Sequence, residues 1–221
     1  MLISPNNEVR KIISTVKVLD RNLKILDFGC GLGRNLVLLR SLGFTQLTGV
    51  DVSENSLQKC REQGFQVMSG ESFNHSSNSG TTYDVIVLSH LIEHFSYSDL
   101  FLFLDGLIDK LAPQGKLLII TPVLNGLFYN DYDHVKPYNP MALFLYYCNK
   151  TSQVQRVSKH NLILKDLHFT RGHLNILYSR GIYLKKHSWG SFANRFLKLL
   201  FFLSGGVLGQ TMGWIGLYEK A

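Results

Sequence analysis

The segment LSHLIEHF, residues 88–95, sets His90, Glu93 and His94 in an H-x-x-E-H spacing directly after an apolar run. Two imidazoles and a carboxylate so spaced suit either of two chemistries. They can ligate a metal ion from one helical face, or they can move a proton, because an unperturbed imidazole titrates near neutrality. A second locus is ILDFGCGLGRN, residues 25–35. Its alternate glycines, Gly29, Gly31 and Gly33, let the backbone turn tightly beneath a ligand, and the helix that follows aims its first amide groups into the same space. Asp51 ends the run LTGVD, where a carboxylate can accept both hydroxyls of a ribose. The pairing points to an adenosine cofactor and leaves its type open, since nicotinamide dinucleotide folds use the same acidic position.

These residues need a scaffold that delivers them to one edge. KILDF (24–28), LTGVD (47–51), FQVMS (65–69), DVIVLS (84–89) and KLLIIT (116–121) read as short strands, several of them apolar without alternation. Helical stretches separate them: RNLVLLRSLG, closed by Gly43; SENSLQKCREQ, capped by Ser53 and ended by Gly64; and the apolar-periodic segment 98–109. Residues 74–82 are loop by composition. Strands buried on both faces and alternating with helices predict one α/β domain with a mostly parallel, Rossmann-like sheet. LSHLIEHF then begins at the carboxyl end of the fourth strand, the edge where open α/β sheets bind ligands.

Spacing narrows the cofactor. The dinucleotide fingerprint G-x-G-x-x-G would need glycine where Arg34 stands, whereas the observed run is D-x-G-x-G-x-G. With "LDFGCGLG", "GVDVS", "SGES", "YDVIVLSHLIEH" and "LAPQGKLLIITP" in register, the sequence resembles the class I S-adenosylmethionine-dependent methyltransferases, closely over residues 22–123. The resemblance implies a seven-stranded sheet with helices on both faces and an antiparallel last strand, and S-adenosylmethionine as cofactor with S-adenosylhomocysteine as product. It implies that Asp27 and the backbone of Gly29, Cys30, Gly31 and Gly33 hold the amino acid part of the cofactor. Asp51 and Val52 would hold the ribose side, Glu71 and Ser72 would flank the adenine, and Ser89 and His90 would border the methionine and sulfonium.

The E-H pair of LSHLIEHF would face the transferable methyl group, with His94 as the first candidate base, Glu93 orienting it or capping local backbone, and His90 either beside the cofactor or packed. "DHVKPYNP", residues 133–140, is similar to a segment of enzymes that methylate sugars or glycans and makes His134 a second candidate base, with Lys136 and Tyr138 over the acceptor pocket. Ubiquinone-pathway O-methyltransferases usually carry an acid at the position of His90, and this departure argues against a carboxylate-bound metal. A zinc peptidase would need a longer metal-binding helix and a third ligand from a later one. The acids after Asp109 are Asp131, Asp133, Asp166 and Glu219, none in such a context, so no metal site is expected.

Composition bounds the partners. Residues 1–125 are nearly neutral, while residues 126–221 hold 12 Lys and Arg against 4 Asp and Glu, and so carry all of the net charge of +7. The excess favours an anionic acceptor: a nucleotide sugar, a glycan or a lipid-linked intermediate. RNA is an alternative supported by charge alone, and a non-catalytic cofactor-binding scaffold is the other. Three separated cysteines without C-x-x-C spacing suit a reducing compartment, and the opening residues lack the pattern of a secretory signal, so a cytoplasmic location is expected. Residues 124–171 read as an acceptor-side insertion or lid, 172–180 as a helix, GIYLKKHSW (181–189) as a sixth strand and QTMGWIGLYEK (210–220) as the seventh. RFLKLLFFLSGGVLG (195–209) reads as an interrupted apolar helix that raises peripheral membrane contact.

Overall fold

The computed structural model describes residues 8–76, 80–149, 158–175 and 189–221. In chain order the elements are α1 (Glu8–Val16), β1 (Ile25–Phe28), α2 (Arg34–Ser41), β2 (Leu47–Asp51), α3 (Glu54–Glu62), β3 (Gln66–Ser69), α4 (Gly70–Ser76), β4 (Tyr83–Ser89), α5 (Tyr97–Asp109), β5 (Leu111–Pro122), α6 (Pro140–Leu143), β6 (Leu162–Gly172), α7 (Trp189–Leu203) and β7 (Gln210–Lys220). A 3-10 turn over Ile92–His94 leads from β4 towards α5, and Ser96 caps α5 by accepting from the Asp99 amide.

The seven strands form one sheet in the order β3-β2-β1-β4-β5-β7-β6. β1 to β5 pair in parallel, and β7 runs antiparallel to both of its neighbours, β5 and β6. The apolar strands 85–88 and 117–120 are buried because both faces of the sheet are covered. One core, with Leu100, Leu104 and Ile108 of α5, packs on one face, and a second, with Ile12, Leu36 and Leu57 of α1, α2 and α3, packs on the other. This is the expected Rossmann-like architecture.

Two local readings change. The sixth strand is Leu162–Gly172, which but for Gly172 lies inside the stretch read as a lid. Its pairing with β7 slips between Leu164 and Asp166, so apolar and polar residues lose strict alternation and the strand signal is broken. The strand expected at 181–189 lies outside the described residues except for Trp189, which opens α7, and the helix expected over 172–180 lies largely outside them as well. Asn74–Ser76, read as loop, form the end of α4.

Candidate functional site

Parallel pairing brings the carboxyl ends of β1, β2 and β4 together, with Phe28 beside Val50 on one side and Leu88 on the other. The chain leaves β1 through three left-handed glycines, Gly29 (φ 77), Gly31 (φ 50) and Gly33 (φ 81). Only glycine takes these angles without strain, and at Gly29 and Gly33 a Cβ would also lie 3.1 Å from Leu91 and 3.0 Å from Cys60 Sγ. Gly33 is the N-cap of α2, with no side-chain hydrogen bond, so the helix presents bare amides at that edge.

Asp51 closes the loop from the next strand. Its Oδ2 accepts from the Gly31 amide and its Oδ1 from the Ser53 amide, both at 2.8 Å. A carboxylate has about four lone-pair positions, so two hydroxyls can still be accepted. Val52 next to it is 93% exposed. Asp27 lies beneath: fully buried, with neither carboxylate oxygen hydrogen-bonded. Burial pushes its carboxyl up to about 7, the Asn35 side chain partly offsets this, and the Asp51 charge adds to it. A buried carboxylate with the Asn35 side chain beside it and no well-formed hydrogen bond is costly, and it suits the ammonium group of an amino acid moiety. Cys30 turns its side chain into the core, so only its backbone belongs to the loop. Glu71 and Ser72 stand exposed on the first turn of α4, with Ser69 Oγ bonded to both the amide and the hydroxyl of Ser72.

Beyond Ser89, His90 adopts a left-handed φ of 52, a conformation that costs a non-glycine residue about 1 kcal/mol or more. Its Nε2 lies 2.9 Å from Glu8 of α1 and its Nδ1 is 3.4 Å from Glu93. Glu8 first, then Glu93, raise its pKa to about 10 against the opposing effect of burial, so the ring is an imidazolium at neutral pH. Glu93 is fully buried; its Oε2 accepts from the Thr121 hydroxyl at 2.9 Å and its Oε1 has no well-formed hydrogen bond. The Glu93 carbonyl accepts from the amides of Val135 and Lys136, which fastens the 133–136 segment over the 3-10 turn.

That segment brings His134 to His94, with ring centroids 5.1 Å apart. His94 Nδ1 is 3.0 Å from the Asp133 carbonyl and His134 Nδ1 2.7 Å from the Phe128 carbonyl. A carbonyl only accepts, so each Nδ1 carries the hydrogen, and Nε2 is the nitrogen that a neutral ring would leave unprotonated; His134 Nε2 faces Asp131 Oδ2 at 3.8 Å. Lys136 lies over the Tyr97 ring at 5.0 Å and is exposed. Tyr138, expected over the acceptor pocket, turns into the core instead, where its hydroxyl donates to Phe95 and its carbonyl accepts from Trp214.

Sequence reasoning missed Glu8 and Thr121. Glu8 carries no motif, because it reaches the edge only by the packing of α1. Thr121 had a signal: a polar residue that ends the apolar run of β5, one position past the Ser89–Ile120 pair.

A methyltransferase-domain family model matches residues 6–164. No curated protein matches significantly. Among solved structures, an S-adenosylmethionine-dependent methyltransferase from Archaeoglobus fulgidus aligns with a TM-score of 0.61 at 21% identity, covering 97% of this chain and 92% of that one. The methyltransferase domain of bacterial CtHen1 aligns with a TM-score of 0.57 at 16% identity over 98% of both chains. StiE O-MT residues 942–1257 align with a TM-score of 0.54 at 14% identity, covering 95% and 72%. Such likenesses fix the fold, and the family model covers well over half of the sequence. The loop, its carboxylates and the matched family agree: this chain belongs to the methyltransferase-domain family and is an enzyme that takes its methyl group from S-adenosylmethionine.

Proposed function

We propose that the enzyme methylates an oxygen of a small anionic or lipid-linked glycan acceptor, with a histidine removing the hydroxyl proton. In this reading Asp27 and the backbone of Gly29, Cys30, Gly31 and Gly33 hold the amino acid part of the donor. Asp51 and Val52 hold its ribose side, Glu71 and Ser72 flank the adenine, and Ser89 and His90 border the sulfonium side. When bound, the donor supplies a methyl carbon activated by positive sulfur. The protein's own work is then alignment and proton removal.

The carrying observation is the pair of imidazoles at the sheet edge whose Nδ1 atoms are committed to carbonyls, which leaves Nε2 of a neutral His94 to accept from a hydroxyl, while His134 Nε2 lies 3.8 Å from Asp131 Oδ2. His94 is the base and His134 its neighbour. Glu93 acts through packing, since its contacts run to Thr121 and His90. The basic second part of the chain supports an anionic acceptor. The test is transfer of labelled methyl to a panel of nucleotide sugars and lipid-linked glycans. A general base contributes about 10²- to 10⁴-fold, so His94→Ala should lower kcat by that order with the affinity for S-adenosylhomocysteine retained. Asp51→Ala should abolish that affinity. Transfer to nitrogen or to RNA instead, or full activity of His94→Ala, overturns the reading.

One observation favours a second reading. Ligand atoms of Glu93, His94 and His134 all lie within 4.8 Å of one another, and a carbonyl behind each imidazole is the usual support of a metal-bound histidine. A divalent ion held there would acidify the acceptor hydroxyl directly, contrary to the expectation of no metal drawn from the sequence. Activity that is lost with a chelator and restored by one added metal selects this reading. Activity indifferent to chelation selects the base.

A further inference from the structure

Fifteen residues of α7 leave most of their apolar surface in solvent. Trp189 (87% exposed), Phe192 (73%), Phe196 (58%), Leu199 (52%) and Leu203 (75%) recur at intervals of three and four, which places them in one stripe, and Phe201 is the buried side chain of the helix. Val207 extends the stripe past the helix end. A contiguous apolar face of this size on a folded protein marks a surface that something covers.

Charge indicates what covers it. Between Asp166 and Glu219 the sequence has no acidic residue and six Lys or Arg, and of these Arg195 and Lys198 stand exposed on α7 itself. An apolar aromatic stripe flanked by cations matches the boundary of an anionic bilayer, with the rings among the acyl chains and the cations at the phosphates. A second copy of the chain, paired through the same face, would set these cations against their own equivalents. A helix of 15 residues spans only about 22 Å, short of the roughly 30 Å hydrocarbon core. Among the described residues no helix is long and apolar enough to cross a membrane, so α7 would lie in the interface plane.

The helix is also fixed to the working edge of the sheet. It runs into β7, whose first residues pair with the end of β6 (Gln210 with Gly172) and then with the end of β5 (Gly213 with Pro122). Phe201 packs there against Gly209, where a Cβ would lie 2.7 Å from its ring. We infer that α7 is an interfacial anchor that seats the enzyme on an anionic membrane surface, with the carboxyl edge of the sheet beside that surface. This deepens the lipid-linked branch of the acceptor reading and rests on it only for the choice of acceptor.

The test is co-sedimentation of the full chain with vesicles of phosphatidylcholine alone and of phosphatidylcholine mixed with phosphatidylglycerol, at low and high salt. Binding to the mixed vesicles that weakens with salt is expected. Burying a phenylalanine is worth about 1.5–3 kcal/mol, so the double variant Phe192→Ser, Phe196→Ser should bind at least about 10²-fold more weakly, at 1.4 kcal/mol per tenfold. Both side chains are exposed, and an unchanged melting shift with S-adenosylhomocysteine shows that the variant is folded. Lys198→Glu, which leaves the rings in place, should weaken binding to the mixed vesicles alone. No vesicle binding by the wild type, binding that survives the double substitution, or a wild-type dimer that the double variant breaks would each overturn the inference. If the protein docks yet transfers methyl only to water-soluble acceptors, the lipid-linked branch of the acceptor reading fails while the anchor stands.

Discussion

Asp27→Asn should make the empty enzyme more stable at pH 8 while removing its hold on the cofactor. The Asp27 carboxyl is fully buried without a well-formed hydrogen bond and has its pKa raised from 3.8 to about 7, chiefly by burial, with the Asn35 side chain offsetting part of the rise. A raised acid contributes stability that is fully present below the unfolded value of 3.8 and lost as pH rises through about 7, because above that point the folded chain must hold a charge that the unfolded chain leaves in water. At about 1.4 kcal/mol per pH unit, the gap caps the cost at about 4 kcal/mol. The amide of the variant would itself be poorly bonded, at about 1–3 kcal/mol, so a net gain of about 1–3 kcal/mol is expected. Denaturant unfolding of both proteins from pH 4 to 8 isolates the effect, since the difference between them cancels every other titrating group. The variant should be the less stable of the two near pH 4, where the wild-type acid is neutral, and the more stable towards pH 8, and calorimetry at pH 8 should show S-adenosylhomocysteine binding weakened by about 10²-fold or more. An Asp27→Asn protein that is less stable than the wild type at pH 8, or that binds the product equally well, would refute the argument that this buried charge is retained for the donor.

Gly33→Ala should cost about 1–2 kcal/mol in folding, because φ is 81 and the added methyl would lie 3.0 Å from Cys60 Sγ, and it should weaken donor binding by disturbing the loop; melting with and without S-adenosylhomocysteine reads both. The His90 imidazolium, held at about 10 by Glu8 and Glu93, should add a second alkaline loss of stability. Its contribution is complete below about 6.5 and disappears as pH rises through about 10. Glu8→Gln should therefore flatten the stability curve between those limits, as followed by unfolding at constant ionic strength.

The parallel half of the fold was legible because burial on both faces leaves strands as unbroken apolar runs, and because Gly43, Ser53 and Gly64 punctuate the helices between them. β6 was not, because an edge strand with a bulge has neither an apolar run nor a clean alternation. The glycine loop after β1 was readable for a similar reason: backbone conformation there is dictated by residue type, so glycine spacing carries the geometry. What surrounds H-x-x-E-H was not readable. Whether Glu93 faces His94, Thr121 or His90 depends on side-chain packing across β5 and the 133–136 segment, and no local pattern encodes it. The pairing of Glu8 with His90, 82 positions apart, is a tertiary event of the same kind.

The strand order β5-β7-β6 sets a sequence of events in time as well as in space. β6 has β7 as its sheet neighbour among the described strands, and β7 comes after it in the chain, so during synthesis β6 emerges before the described strand it pairs with, residues 210–220. The flank of β5 is open for the same interval, as is the cavity that Trp214 later fills when its indole donates to Tyr138. Among the described strands, β7 is thus the one inserted between two waiting ones rather than added at an outer rim.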